Sequence, residues 1–123
     1  MLDQIGFMVT NKDKARAFYS AALAPLGIDA VTEFGNWQGY GRHGKPEFWI
    51  GSQKGSAYQG QMHLAFLAGT RGEVERFYQA ALSAGGIEHS APVLRPNYHA
   101  DYFSAQVKDP DGHIIEVVCH MPA

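Results

Sequence analysis

The sequence predicts an α+β fold made of two copies of one strand–helix–strand unit, and three observations predict it. The first is a repeat. "FYSAAL" at Phe18–Leu23 returns as "FYQAAL" at Phe77–Leu82, and the match runs from Gln4–Ile28 over His63–Ile87 at a constant offset of 59 residues. The second is that the hydrophobic period within each copy switches from two to that of a helix. The third is size: neither half of a 123-residue chain has enough apolar surface for a core of its own, so the halves must pack together.

The elements follow in order. From Leu2 to Val9 the chain alternates, with Ile5, Phe7 and Val9 on one side and Gln4, Gly6 and Met8 on the other, as in a strand with one apolar face. Asn11 is the expected helix cap. Ala15, Phe18, Ala22 and Leu23 then form an apolar stripe, and Gly27 is the expected stop. In the second copy Leu64 and Phe66 alternate with His63 and Ala65. Thr70 and Glu73 read as a capping box, Val74, Phe77, Ala81 and Leu82 line one helix face, and Gly85-Gly86 ends it. Each helix is followed by shorter strand-like pieces: "IDAVTEF", "WQGYGR" and "EFWIG" in the first half, "IEHSA", "YFSAQVK" and "HIIEVVC" in the second. The turn "DPDG", Asp109–Gly112, joins the last two.

This organisation makes one domain over 1–123, with a first module at about 1–51, a polar Gly/Ser-rich linker at about 52–60 and a second module at about 61–123. The modules diverge in one place. Gly27 to Gly44 is 17 positions, whereas Gly86 to Gly112 is 26, and the extra residues fall in or near "PVLRPNYHAD" with Arg95, Tyr98, His99 and Asp101. Insertions into a repeat emerge as loops on one face, often the binding face.

Composition excludes several classes. A net charge of −2 with 18% charged residues offers no basic footprint for nucleic acid. The single cysteine, Cys119, leaves no intramolecular disulfide framework and fits a reducing compartment. No apolar run reaches membrane-spanning length and the start lacks a signal-peptide pattern, so the expectation is a cytoplasmic protein with no membrane partner.

Strand parity then sorts the polar residues. The apolar face of each sheet meets its helix, which sends Gln4, His63, Glu116, Tyr102, Ser104 and Gln106 to the opposite, free face. A polar set with apolar neighbours such as Met8, Leu67 and Ile114 is what a small-molecule pocket requires. Glu116, between "HII" and "VVC", is a carboxylate in an apolar strand and calls for a metal or a cationic partner.

The doubled "FYxAAL" units, the residues opening each unit (Gln4 and His63) and the closing "DPDGHIIEVV" together resemble the glyoxalase / bleomycin-resistance / extradiol-dioxygenase superfamily, the vicinal oxygen chelate proteins. The resemblance covers essentially the whole chain. It implies two βαβββ modules whose sheets curl into a cup or open barrel with the helices outside, usually completed in a homodimer. It also implies a divalent metal in the cup, with Gln4, His63 and Glu116 on the ligand positions and Zn, Ni, Co, Mn or Fe suited to so mixed a donor set. Gln4 stands where His is common. A second carboxylate, which glyoxalase I-like sites draw from the last strand of the first half, is missing: counting four from Gly44, as Glu116 lies four from Gly112, arrives at Phe48.

Two functions follow as expectations. One is a glyoxalase-like metal-dependent enzyme of lyase or isomerase type on a small molecule, with Glu116, Tyr102 and His99 as the proton-transfer candidates. The other is a metal-free small-molecule or drug-binding protein whose ligand stacks on Trp37, Trp49 or Tyr102. The stretch "GYGRHG" matches G-x-G-x-x-G, but the strand-like "KPEFWIG" follows it rather than a helix, so it reads as a hairpin.

Overall fold

In the computed structural model, which describes residues 1–52 and 61–123, the element order is strand, helix and three strands, twice over. The first module holds β1 (Ile5–Met8), α1 (Lys12–Leu23), β2 (Asp29–Phe34), β3 (Trp37–Arg42) and β4 (Lys45–Gly51). The second holds β5 (His63–Leu67), α2 (Arg71–Ser83), β6 (Ile87–Leu94), β7 (Phe103–Lys108) and β8 (Ile114–Cys119). The linker expected at about 52–60 lies outside the described residues from 53 onward. No described helix is long and apolar enough to cross a membrane.

Local chemistry accounts for the boundaries. Asn11 caps α1 by accepting from the Lys14 N–H at 3.0 Å, and the Thr70 hydroxyl accepts from the Glu73 N–H at 3.1 Å. The chain leaves α1 through a short 3₁₀ turn over Ala24–Leu26 and turns at Gly27 with φ of 74°, where a side chain would be strained. The "GYGRHG" stretch is a two-residue hairpin: His43 and Gly44 both have positive φ (55° and 79°), the twist that lets β3 and β4 pair without splaying.

The two sheets repeat one topology. Their orders are β1-β4-β3-β2 and β5-β8-β7-β6, with the parallel pair β1·β4 or β5·β8 at one side and antiparallel pairs beyond. The sheets remain separate and do not close into a barrel. Residues 92–94 prolong β6 instead of belonging to the inserted loop. Pro92 is tolerated because β6 is an edge strand, where a missing N–H breaks no inner ladder.

The helix-facing residues of both sheets form one core. Phe7, Phe18, Tyr19, Leu23, Phe48, Ile50, Phe77, Val107, Ile115 and Val117 are buried, and Ile5, Leu64 and Phe66 pack against them. Burying a side chain of this kind contributes about 1.5–3 kcal/mol. Phe48 stands edge-on to Phe66 with ring centroids 5.3 Å apart, which ties the modules together. Arg42 adds a polar tie, donating to the carbonyls of Leu26 (2.9 Å) and Leu67 (3.3 Å).

The β3–β4 hairpin is packed so closely that a methyl group at Gly41 would lie 1.7 Å from the Lys45 carbonyl oxygen. Gly41→Ala is therefore expected to cost about 2–4 kcal/mol, because backbone and not a flexible side chain must move. Gly27→Ala, with positive φ but open space around it, should cost only about 1 kcal/mol. Chemical denaturation of the two variants beside the parent checks the ranking.

Candidate functional site

On the free face of the second sheet, register sets Ala65 beside Glu116 and Glu116 beside Gln106. Glu116 is 3% exposed, and both carboxylate oxygens are engaged: Oε1 lies 2.7 Å from His63 Nε2, and Oε2 accepts from the Tyr102 hydroxyl at 2.9 Å. Burial disfavours the charge of Glu116, but hydrogen bonds from His63, Tyr102 and Ser104 outweigh it and hold the carboxyl below its ordinary range. Tyr102 moves the other way. Its own burial and the Glu116 carboxylate push the phenol up to about 12, so it stays a donor. Its ring packs edge-on between Tyr98 (5.2 Å) and His120 (5.3 Å), a neighbour that no spacing in the sequence announces. His99 is exposed on the loop before Tyr102, with its ring 5.7 Å from His120 and its Nδ1 accepting from the Asp101 N–H.

Gln4 belongs to the first sheet. Its Oε1 accepts from Trp49 Nε1 at 2.7 Å. The strands β1 and β5 run past each other in opposite directions. Thr10, beyond the end of β1, bonds Asp111 near the start of β8, while Gln4 lines a cavity of about 290 Å³ with Ala65 in the middle of β5 and Leu67 at its far end. His63 lies four residues back along that strand, about 13 Å at 3.3 Å per residue. The structure thus joins His63, Glu116 and Tyr102 by hydrogen bonds, whereas the Gln4 side chain bonds Trp49 of its own sheet.

Register also corrects the counterpart of Glu116. Gly6 pairs with Trp49 as Ala65 pairs with Glu116, so the equivalent of Glu116 is Trp49 and not Phe48, whose ring is in the core. Counting from the turn fails because β4 begins directly after Gly44 and carries a register shift against β3 at Tyr40/Gly41. The Gln4–Trp49 hydrogen bond is therefore the first module's version of the His63–Glu116 contact. Around it the free face is aromatic: Thr32, Phe34, Trp37 and Trp49 line a cavity of about 510 Å³, and Phe34 is 78% exposed. The indoles lie directly over glycine backbone. A methyl at Gly39 would come within 2.9 Å of Trp49 and one at Gly51 within 2.7 Å of Trp37.

A second cluster lies in the turn before β8. Candidate ligand atoms of Asp109, Asp111 and His113 all fall within 4.8 Å of one another. These atoms also hold the turn. Asp109 Oδ1 accepts from the N–H groups of Asp111 and His113, both at 2.9 Å, and its Oδ2 accepts from the Tyr19 hydroxyl. Asp111 accepts from Thr10, and His113 Nδ1 accepts from the Met62 N–H at 3.0 Å. An ion here would have to displace these bonds.

A twin-module α+β protein emerges, with a buried, donor-held carboxylate on one free face and an aromatic platform on the other. The model of the Glyoxalase/Bleomycin resistance protein/Dioxygenase superfamily matches residues 1–117, and the chain belongs to that superfamily. Among solved structures, the fold is shared by a glyoxalase/bleomycin resistance protein from Albidiferax ferrireducens T118, 24% identical with a TM-score of 0.82, over 97% of this chain and 98% of that one. It is shared by a glyoxalase-related enzyme from Fulvimarina pelagi (22% identical, TM-score 0.70, 97% and 87% covered). A lactoylglutathione lyase from Agrobacterium tumefaciens is also similar (17% identical, TM-score 0.68, 97% and 92% covered). A search of curated proteins finds no match.

Proposed function

We propose that this protein is a glyoxalase-like metal-dependent enzyme, of lyase or isomerase type, that acts on a small oxygenated molecule as a homodimer. The observation that carries the reading is the His63–Glu116 pair. An imidazole nitrogen and a buried carboxylate oxygen 2.7 Å apart share a proton where both could instead hold one ion with a modest opening. Divalent metal binding is typical of the superfamily. The mixed N/O donor set fits Zn, Ni, Co, Mn or Fe.

Gln4 is the third donor in this reading, and it would come from a second copy. The exposed aromatic face of the first sheet favours such pairing, since an apolar patch of this kind wants cover. The modules' internal symmetry favours it too: setting the Gln4–Trp49 face of one copy against the His63–Glu116 face of the other gives two equivalent cavities.

When bound, the metal supplies Lewis-acid stabilisation of negative charge on substrate oxygen. The chain does the rest. Glu116 would accept a proton at its carboxylate only on leaving the metal, as a base placed beside the substrate. Tyr102, which keeps its proton up to about pH 12, donates a hydrogen bond from its hydroxyl and orients Glu116 Oε2. Trp37 and Trp49 offer a rigid apolar wall that excludes water. His99, at the lip of the site, is left a positioning or lid role.

Elemental analysis of untagged protein purified without chelator, beside His63→Ala, tests the reading, with sedimentation for the dimer. Near-stoichiometric metal in the parent and less than about a tenth of it in the variant is expected. A parent free of metal, and not thermally stabilised by added divalent ions, favours the second reading: a metal-free small-molecule-binding protein. The indoles laid on glycines of the first sheet are the feature that supports that one.

A further inference from the structure

Arg95 follows β6 and is half-buried beside the Glu116 network. Its Nε donates to the Ser104 hydroxyl at 2.9 Å, and one terminal nitrogen, Nη2, donates to the Ser90 hydroxyl. Ser104 is fully buried and is also among the hydrogen-bonding partners of Glu116, so a single hydroxyl separates the guanidinium from the carboxylate at the site's centre. The backbone is pinned as well, with the Arg95 N–H donating to the Tyr102 carbonyl at 2.7 Å.

One feature distinguishes Arg95 from an ordinary surface cation, and it is geometric: like Arg42 and Arg76 it makes no ion pair with a carboxylate among the described residues, but its side-chain hydrogen bonds use one edge of the guanidinium only. A guanidinium has five N–H donors, and the two serines take the side-on edge, Nε–H and one Nη2–H. The end-on edge keeps one N–H on each terminal nitrogen, parallel and pre-oriented, with a further N–H on Nη1. Held this way, the fork loses little entropy on meeting a planar, two-oxygen anion.

We propose that Arg95 is a substrate-binding residue and that the substrate carries a carboxylate, bound end-on by its guanidinium next to the Glu116 centre. The enzyme then acts on an oxygenated organic acid. Ser90 and Ser104 are positioning residues that fix the fork. The inference rests on the free face of the second sheet being the substrate site, as proposed above, but not on the metal.

The test uses metal-stripped full-length protein, titrated with malonate, with inorganic phosphate and with neutral malonamide. The readouts are calorimetry and the NMR signal of the Arg95 Nε–H. Malonate should bind, move that signal and bind at least tenfold more weakly to Arg95→Met, with Arg95→Lys between the two. Malonamide should not bind. Equal malonate affinity in parent and Arg95→Met, an unmoved Nε–H signal, no binding at all, or tighter binding of phosphate than of malonate would each overturn the assignment. The NMR readout needs no variant, so a poorly folded Arg95→Met does not remove the test. Metal content is measured separately, and either result can fail alone.

Discussion

Asp109→Ala is expected to lower the unfolding free energy by about 3–5 kcal/mol, the largest stability effect of any single side chain in the β7–β8 hairpin. Asp109 is 2% exposed and accepts three hydrogen bonds, from the N–H groups of Asp111 and His113 and from the Tyr19 hydroxyl. Alanine leaves all three donors without this acceptor, the His113 N–H and the Tyr19 hydroxyl in a buried setting, and each buried loss costs about 1–3 kcal/mol. The Tyr19 bond joins α1 of one module to the hairpin of the other, so the damage extends to the packing of the two halves. Asp109→Asn retains one carbonyl oxygen for the two N–H groups, and Tyr19 can accept from the new amide. It should be far milder.

Alkaline pH checks the same contact independently. Burial, and then the charge and hydrogen bond of Asp109, raise Tyr19 well above the usual 10. Between that value and its native one, the phenol ionises in the unfolded chain and not in the folded one. The unfolded state therefore binds fewer protons, and stability falls as pH rises. Tyr19→Phe should be less stable than the parent near neutrality, with the gap narrowing above about pH 10. Urea midpoints of both proteins from pH 8 to 11 read this out, and a gap that stays constant would refute the assignment.

Glu116→Ala, seven residues further along the same hairpin, is expected to do the opposite: abolish function and spare the fold. Its removal relieves the desolvation of a buried charge but gives up the hydrogen bonds from Tyr102 and Ser104, while His63, with its side chain half exposed, can turn to water. A net change within about 2 kcal/mol follows. Metal uptake and turnover should both be lost. Changing an outer-shell partner of a metal site costs about 10–100-fold in affinity, so losing the carboxylate itself should exceed about 100-fold. Glu116→Gln preserves the shape and the Tyr102 contact but drops the charge, and it should lose metal nearly as fully. Full metal occupancy in Glu116→Ala would falsify the proposed site.

The contrast between these two carboxylates separates what was legible in the sequence from what was not. Local rules reached far. The caps at Asn11 and Thr70, the stop at Gly27, the hairpin at His43–Gly44 and the buried stripes of both helices all depend on neighbours within a few residues. Strand parity has a period of two, so it also sorted Ile115 and Val117 inward and Glu116, Tyr102 and Ser104 to the free face. Other features needed the folded chain. Asp109 reads as one letter of a turn, and its hold on Tyr19, 90 residues away, is visible only in the fold. His120 against Tyr102, and the serine clamp on Arg95, depend on how β6 and β7 pair across an irregular register.

By itself the sequence determined that the protein is two copies of one βαβββ unit, which face of each strand is apolar, and which side chains share the second module's free face. These follow from repeat, period and turn chemistry, all local in the chain. The tertiary structure decided that Trp49 and not Phe48 answers Glu116, and that Gln4 bonds Trp49 in one sheet while His63 bonds Glu116 in the other. The physical reason is that register shifts and the direction in which two sheets pass each other are set by packing between distant segments, on which periodicity along one strand imposes no constraint.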